Sequence, residues 1–407
     1  THNEILYFGY RMLQENSTII YALRVKYPFI FVDEFQDTNP LQTKIITLLG
    51  EKSTTIGVVG DVAQSIYSFQ GAQPSQFSNF SVSGTKRTGI YQISGNRRST
   101  ANIVSLCNYL RSTDVLEQTS IKPYKNDKDK QESEQIPVRF ICGNSPESME
   151  QISALVKAGS VVLTRTWAAA FEYIQGIDEG QRNILNKIYN NYFPTSIDLR
   201  ADIVEHNRVT WVRAFRFIML LNSAYKNGSL IDVLNAVELY SPISRIKENS
   251  AFSAKIILKI KKLLDKTFEG LSANRLVADI IEKFNTTLLD VEYKDLLESL
   301  FDTNDFTLQY ISDFDEKIAE QIKKITWDTA SKLFSEVFSK DAKYMTVHQA
   351  KGLEWDTVVV ATIPTKRDGT SLINMFNSPE ILGENNFDEF VRIYSVSYTH
   401  LRAHETR

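Results

Sequence analysis

The chain has 407 residues, of which 43% are hydrophobic and 11% aromatic, enough for two or three domains with substantial cores and too many for wholesale disorder. A formal net charge of -3 carries no global basic signal, so any nucleic-acid site has to be a local patch or groove. Cys107 and Cys142 are too few and too far apart for a disulfide or metal framework, so a reducing, cytoplasmic setting is the default, and neither a signal peptide nor a bilayer-spanning apolar run is evident.

Ile5, Leu6, Phe8, Met12 and Leu13, then Ile19, Ile20 and Leu23, recur at mixed helical spacing and predict two short helices. Thr1 is not a methionine and this first stretch already reads as amphipathic helix, so the chain is expected to begin inside a longer protein. The run Phe29 to Asp37, FIFVDEFQD, is an apolar segment that ends abruptly in acids. Phe29 to Val32 suits a strand buried on both faces of a parallel sheet, which places Asp33 and Glu34 at its C-terminal end. Ligands of open α/β sheets sit at that edge, and two adjacent carboxylates there suit Mg²⁺ and the orientation of an attacking water. The plain alternative is a solvated acidic turn leading into a helix, since Asn39-Pro40 breaks the backbone and Leu41 to Leu49 reads as helical up to Gly50.

A second strand, Thr55 to Val59, ends in Gly60-Asp61 and delivers Gln64, Tyr67 and Phe69 to the same edge. Gln64 suits a phosphate or a water, and the two rings suit stacking on a flat ligand, although from residue type alone core packing is the better explanation of both. A third strand is expected at Gly89 to Ile93, followed by Asn96-Arg97-Arg98-Ser99-Thr100 and a helix carrying Ile103, Leu106, Cys107 and Leu110. Arginines at a helix entry bind oxyanions, with an ordinary surface charge pair as the alternative. Residues 122 to 135 read as an exposed linker, and strands are expected at Val138 to Cys142 and Val161 to Thr164 with a helix at Ser148 to Val156 between them.

From Ala169 to Lys340 helical spacing dominates and no segment carries readable chemistry; its charged faces are most simply solvated. The strand pattern returns at Tyr344 to Val347, before His348, Lys351, Gly352 and Glu354, and again at Thr357 to Thr362. Lys351-Gly352 suits close approach to a phosphate or ligand backbone. An α/β pattern on both sides of a helical block predicts a helical domain inserted into a second α/β domain.

Five blocks in order, VDEFQDTNPLQ, VGDVAQSIYSFQGA, NRRST, VLTR and TVHQAKGLEWDTVVVA, resemble the UvrD/Rep-type superfamily 1 DNA helicases. The resemblance covers nearly the whole chain, with residues 169 to 340 matching only in position and helical character. It implies an α/β architecture of two RecA-like P-loop NTPase domains, the first incomplete, with ATP bound between them and 3′ to 5′ movement on single-stranded DNA. The implied boundaries are the end of a helical insertion at 1–26, the first RecA-like domain at 27–88, the second at 89–168 and 341–395, and the inserted helical domain at 169–340. Asp33 would bind Mg²⁺, Glu34 would be the base positioning the hydrolytic water, Gln64 would sense the γ-phosphate, and Arg98 would contact it as an arginine finger does. Arg97 and Glu354 would lie against the nucleotide, at its adenine and ribose, and Tyr67, Phe69 and His348 would line the DNA track. The implied partners are single-stranded DNA, its junctions with duplex and repair-complex proteins, with no membrane.

Several positions depart from the family. Phe69 stands where Trp is usual and keeps a stacking face, Gln70 replaces an arginine, and Arg97 replaces an aromatic residue on the adenine. The sequence contains no GxxxxGK[ST] loop to cradle phosphates, so the chain by itself is expected to bind ATP poorly and to be inactive. The stretch from Phe387 resembles the family's last motif, with Arg392, Ile393 and Val396 in place but His400 where an arginine is expected. Residues 396–407 resemble the translation of a transposon-type sequencing adapter, which places the natural end near Ser395 to Ser397. The alternative function is a non-catalytic DNA-binding scaffold that kept the fold within a repair complex.

Overall fold

The computed structural model describes residues 2–68, 71–82, 89–111, 116–123, 126–128, 130–131, 137–141, 145–192, 210–240, 254–288, 290–293, 320–339, 341–361 and 392–393. The chain divides into two units: Thr1–Cys142 with Ala350–Val360 and Thr370–Arg407, and Gly143–Gln349 with Ala361–Gly369.

The first unit opens with the two expected helices, α1 (His2–Glu15) and α2 (Ser17–Lys26). Asn16 starts the second by accepting hydrogen bonds from the Thr18 and Ile19 amides, which an N-terminal turn cannot satisfy within the helix. Both pack on α3 (Pro40–Gly50), which begins with a capping box between Asn39 and Gln42 and carries Pro40 where its missing N–H costs nothing. At the other end of α3 the buried Arg24 donates to the Leu48 and Leu49 carbonyls, satisfying acceptors that the last turn leaves open.

Strand β1 (Phe29–Val32) pairs in parallel with β2 (Thr55–Val58), with Phe29 opposite Thr55 and Val32 opposite Val58. The parallel pairing is as expected, but burial on both faces is not found: Phe29 and Phe31 are 66% and 74% exposed. Side chains alternate across a strand, and the Phe29/Phe31 face meets little here, because Gly57 lies opposite Phe31 and its ring spreads over that glycine. Helix α3 packs against β2 instead.

The expected strand at Gly89 to Ile93 is not formed. Ile90, Tyr91 and Ile93 are exposed, and pairing is confined to β3 (Gly95–Asn96) with β4 (Thr119–Ser120), extended by the Thr119 amide donating to the Ser94 carbonyl. Apolar composition alone does not hold a strand without a neighbour to cover it, and none pairs with 89–93 among the described residues. Helix α4 (Ala101–Leu110) buries Val104, Cys107 and Leu110, close to the spacing read from the sequence. Within the 122–135 linker, residues 126–128 and 130–131 are exposed as expected.

Burial pushes the Cys107 thiol up to about 12, so almost no thiolate exists at neutral pH. Cys107 is therefore expected to resist a thiol-reactive dye in the native protein and to react at the rate of a small thiol only in denaturant; rapid native labelling at Cys107, located by peptide mapping, would contradict its burial. Cys142 lies outside the described residues.

The second unit is built on β5 (Val161–Thr164), every residue of which is buried. It pairs in parallel with β6 (Tyr344–Thr346), Val162 opposite Tyr344 and Thr164 opposite Thr346, so two adjacent strands bracket nearly the whole helical stretch between them. The helix Pro146–Lys157 precedes β5 as expected. The strand expected at Val138 to Cys142 is absent: residues 137–141 are irregular, with Phe140 exposed, and Cys142 is outside the described residues. After β5 the helix Trp167–Tyr173 packs back on both strands with Trp167 fully buried. Helices then follow at Glu179–Tyr192, Thr210–Lys226, Leu230–Tyr240, Ala254–Phe268, Val277–Leu288 and Trp327–Glu336. Gln181 ties the first of these to the last: its amide accepts from the Thr326 N–H and donates to the Lys324 carbonyl.

Candidate active site

The site begins where β1 stops. Pairing with β2 extends past the strands, the Val59 amide donating to Val32 and the Phe35 amide to Val59, so the chain is still held to the sheet as the acids emerge. Glu34 turns it with φ 52° and ψ 36°, the one non-glycine positive φ among the described residues. That conformation costs an L-residue roughly 1–2 kcal/mol, and local groups offset it. Asp33 Oδ1 accepts the Glu34 amide at 2.9 Å, and the Glu34 carbonyl accepts the Asp37 amide at 3.0 Å. Phe35, fully buried, then anchors the turn against Phe77 and Phe80, with ring centroids 6.2 and 4.9 Å away. Asp33 and Glu34 are left exposed at the sheet edge, as read from the sequence.

Gln36 is fully buried and stitches this turn to the next. Its side chain donates to Glu34 and accepts the Asp61 amide at 3.0 Å, while its carbonyl accepts from Ser65. Gly60 permits that approach, because a Cβ there would sit 3.3 Å from the Phe35 and Gln36 backbone nitrogens and collide with the Gln36 side chain.

Asp61 organises the second turn. It accepts the Ala63 amide at 3.1 Å, starting a short 3₁₀ turn at Val62–Gln64, and accepts the Gln64 side-chain amide at 2.9 Å. Arg111, just past the end of α4, grips the same carboxylate with both terminal nitrogens at 3.1 and 3.3 Å. The guanidinium is only 5% exposed, so this is a charge-assisted pair shielded from water.

Lys351 arrives from the far end of the sequence. Its ammonium bonds to Asp37, lies 3.4 Å from Glu34 Oε2, donates to the Gln64 carbonyl at 3.2 Å, and stands 5.2 Å from the Tyr67 ring centroid. The turn after it is completed by Gly352 at φ 84°. Asp37 is pulled two ways: burial raises its pKa, the hydrogen bond from Lys351 opposes this, and the balance is upward. Burial also raises the Tyr67 phenol, reinforced by the charges of Asp37 and Glu34. Asp37 Oδ1 remains buried without a hydrogen-bond partner.

Arg98 and Glu354, distant in sequence, meet with Arg98 Nε 3.4 Å from Glu354 Oε2, both side chains part-exposed. Asn96 holds the arginine turn by accepting the Arg98 and Ser99 amides, leaving Arg97 exposed beside it. Glu34, Gln64 and Tyr67 thus share one cation, and Arg98 shares a contact with Glu354. His348 sits on the short helix Val347–Ala350 and belongs to the second unit. Phe69, with Gln70, lies outside the described residues, as does the tail after residue 393.

Sequence reasoning missed Gln36, Asp37, Asp61 and Arg111, and placed Lys351 near a phosphate without finding its carboxylate partners. Asp37 and Asp61 were visible as acids beside the strand ends. Arg111 had no local signal, because its partner is 50 residues upstream.

Among the described residues no group of three or more His, Cys, Asp or Glu side chains could hold a metal unaided. Mg²⁺ at a nucleotide site is held through one or two carboxylates, with most other ligands from phosphates and water. Asp33, exposed at the strand end and offering a hard oxygen, has the required chemistry.

Two family models match the sequence: the UvrD/REP helicase N-terminal domain over residues 2–83 and the UvrD-like helicase C-terminal domain over residues 181–400. Gabija protein GajB of Bacillus cereus (strain HuB5-5) is 23% identical across 88% of this chain and 54% of its own length. Putative ATP-dependent DNA helicase YjcD of Bacillus subtilis (strain 168) is 27% identical over 46% of this chain and 24% of its own. DNA helicase II of Haemophilus influenzae (strain ATCC 51907 / DSM 11121 / KW20 / Rd) is 36% identical over 26% and 14%. The chain spans from about a seventh to about half the length of these relatives. The C-terminal model alone matches more than half of the 407 residues, and the chain belongs to the UvrD-like helicase family.

Proposed function

We propose that the protein is an ATP-dependent DNA helicase and translocase that moves 3′ to 5′ on single-stranded DNA, serving repair or recombination. The observation that carries this reading is the convergence of Glu34, Gln64 and Tyr67 on one ammonium, Lys351. Groups suited to hydrolysis and a ring suited to base stacking thereby share a single neighbour, as a motor that couples the two needs. Asp33 holds Mg²⁺, which when bound neutralises phosphate charge. Glu34 orients the attacking water, Gln64 senses the terminal phosphate and Arg98 neutralises charge developing on it. Arg97 and Glu354 bind the rest of the nucleotide, and Tyr67, Phe69 and His348 line the path of the strand. The helical block between β5 and β6 is an insertion in the second RecA-like domain.

Among the described residues no helix is long and apolar enough to cross a bilayer. Residues 1–407 contain no GxxxxGK[ST] loop, so the test uses the complete gene product. ATP turnover that rises at least about tenfold on adding single-stranded oligonucleotide is the expected result; full turnover without DNA, or none with it, would overturn the reading.

A further inference from the structure

Like Gln36, Lys351 touches both turns at the sheet edge, and it is the cation that does so through Asp37 and the Gln64 carbonyl. The Lys351 side chain is 11% exposed, that of Asp37 17% and that of Glu34 55%, so the lysine is set into the base of the acidic turn with one carboxylate enclosed and one reaching to solvent. Asp37 is 314 residues away in sequence. A lysine replaced by water would leave Asp37 enclosed with uncompensated charge and Glu34 held by Gln36 alone among the bonds described above. The same ammonium lies at a face of the Tyr67 ring, at a distance where a cation is attracted by the ring quadrupole.

We propose that Lys351 is a positioning residue that fixes the Glu34 carboxylate and makes its position depend on what occupies Tyr67. A nucleobase stacked on Tyr67 changes the ring face that the ammonium uses, and the ammonium in turn changes its hold on Glu34 and Asp37. This provides a short path, one side chain long, by which a bound strand alters the hydrolytic turn. Gly352 supports the arrangement, since its positive φ bends the chain immediately after Lys351.

The inference rests on the proposed role of Glu34, and its test separates the two. In the complete protein, Lys351→Met is expected to lower DNA-stimulated turnover about 10–100-fold with the KM for ATP changed less than about twofold, and to bring the stimulation ratio towards one; Lys351→Arg restores most of the stimulation. A second measurement needs no turnover: Mn²⁺ binding to the nucleotide-free protein, followed by electron paramagnetic resonance. Lys351→Met frees the carboxylates and is expected to tighten Mn²⁺ about tenfold, with Lys351→Arg near wild type. A Met variant with unchanged stimulation, or with Mn²⁺ affinity unchanged while circular dichroism shows the fold intact, overturns the role of Lys351. Absence of turnover in the wild type would instead overturn the helicase reading and leave the Mn²⁺ arm to decide the lysine.

Discussion

Glu34→Gln is expected to reduce DNA-stimulated ATP turnover by about 10²- to 10⁴-fold, the range for removing a positioned general base. The substitution keeps the size and hydrogen-bonding reach of the side chain but deletes the charge that faces Lys351 and would polarise a water. The fold at this point depends on the Glu34 backbone, whose positive φ is held by the Asp33 side chain and the Asp37 amide, and on the Phe35 anchor. None of these needs the Glu34 carboxylate. Nucleotide and single-stranded DNA affinities should therefore stay within about threefold of wild type, because only an interaction made in the transition state is removed. Steady-state turnover with fluorescence-anisotropy binding checks both halves. Undiminished turnover would remove Glu34 from its proposed role.

The largest effect on stability is expected from Phe35→Ala. The ring is fully buried between Phe77 and Phe80, and deleting it costs about 3–5 kcal/mol, the range for emptying an aromatic core position. Phe35 follows Glu34 directly and anchors the acidic turn against these two rings. Denaturant unfolding measures the cost: a loss under about 1 kcal/mol would mean that the site collapses freely or that the ring is not packed as described. Phe35→Leu, which keeps apolar volume, should recover more than half of the loss.

The acidic run shows how far the sequence reached. Its continuous apolar run ended at a strand terminus, so the place of Asp33 and Glu34 at the C-terminal end of the strand followed from local composition, and the ordered blocks identified the family. Periodicity failed where a strand needed a neighbour. Gly89 to Ile93 has strand composition, but pairing stops at Gly95–Asn96, and Phe29 and Phe31 lie on a face to which β2 contributes Thr55 and Gly57, both small. Composition records what a residue tolerates, whereas burial depends on what arrives opposite.

The same distinction governs the site. The sequence by itself determined the residue types, their order and their delivery to strand ends, because a period of two and a following helix are local properties of the chain. Only the tertiary structure decided the counter-ions. Lys351 with Asp37 and Glu34, Arg111 with Asp61, and Arg98 with Glu354 are pairs separated by tens to hundreds of residues. Coulomb attraction acts through space and falls with distance, so it leaves no spacing pattern in a linear sequence. The acids at the end of β1 were legible from local order; the lysine that holds them was found only where the folded chain brought it.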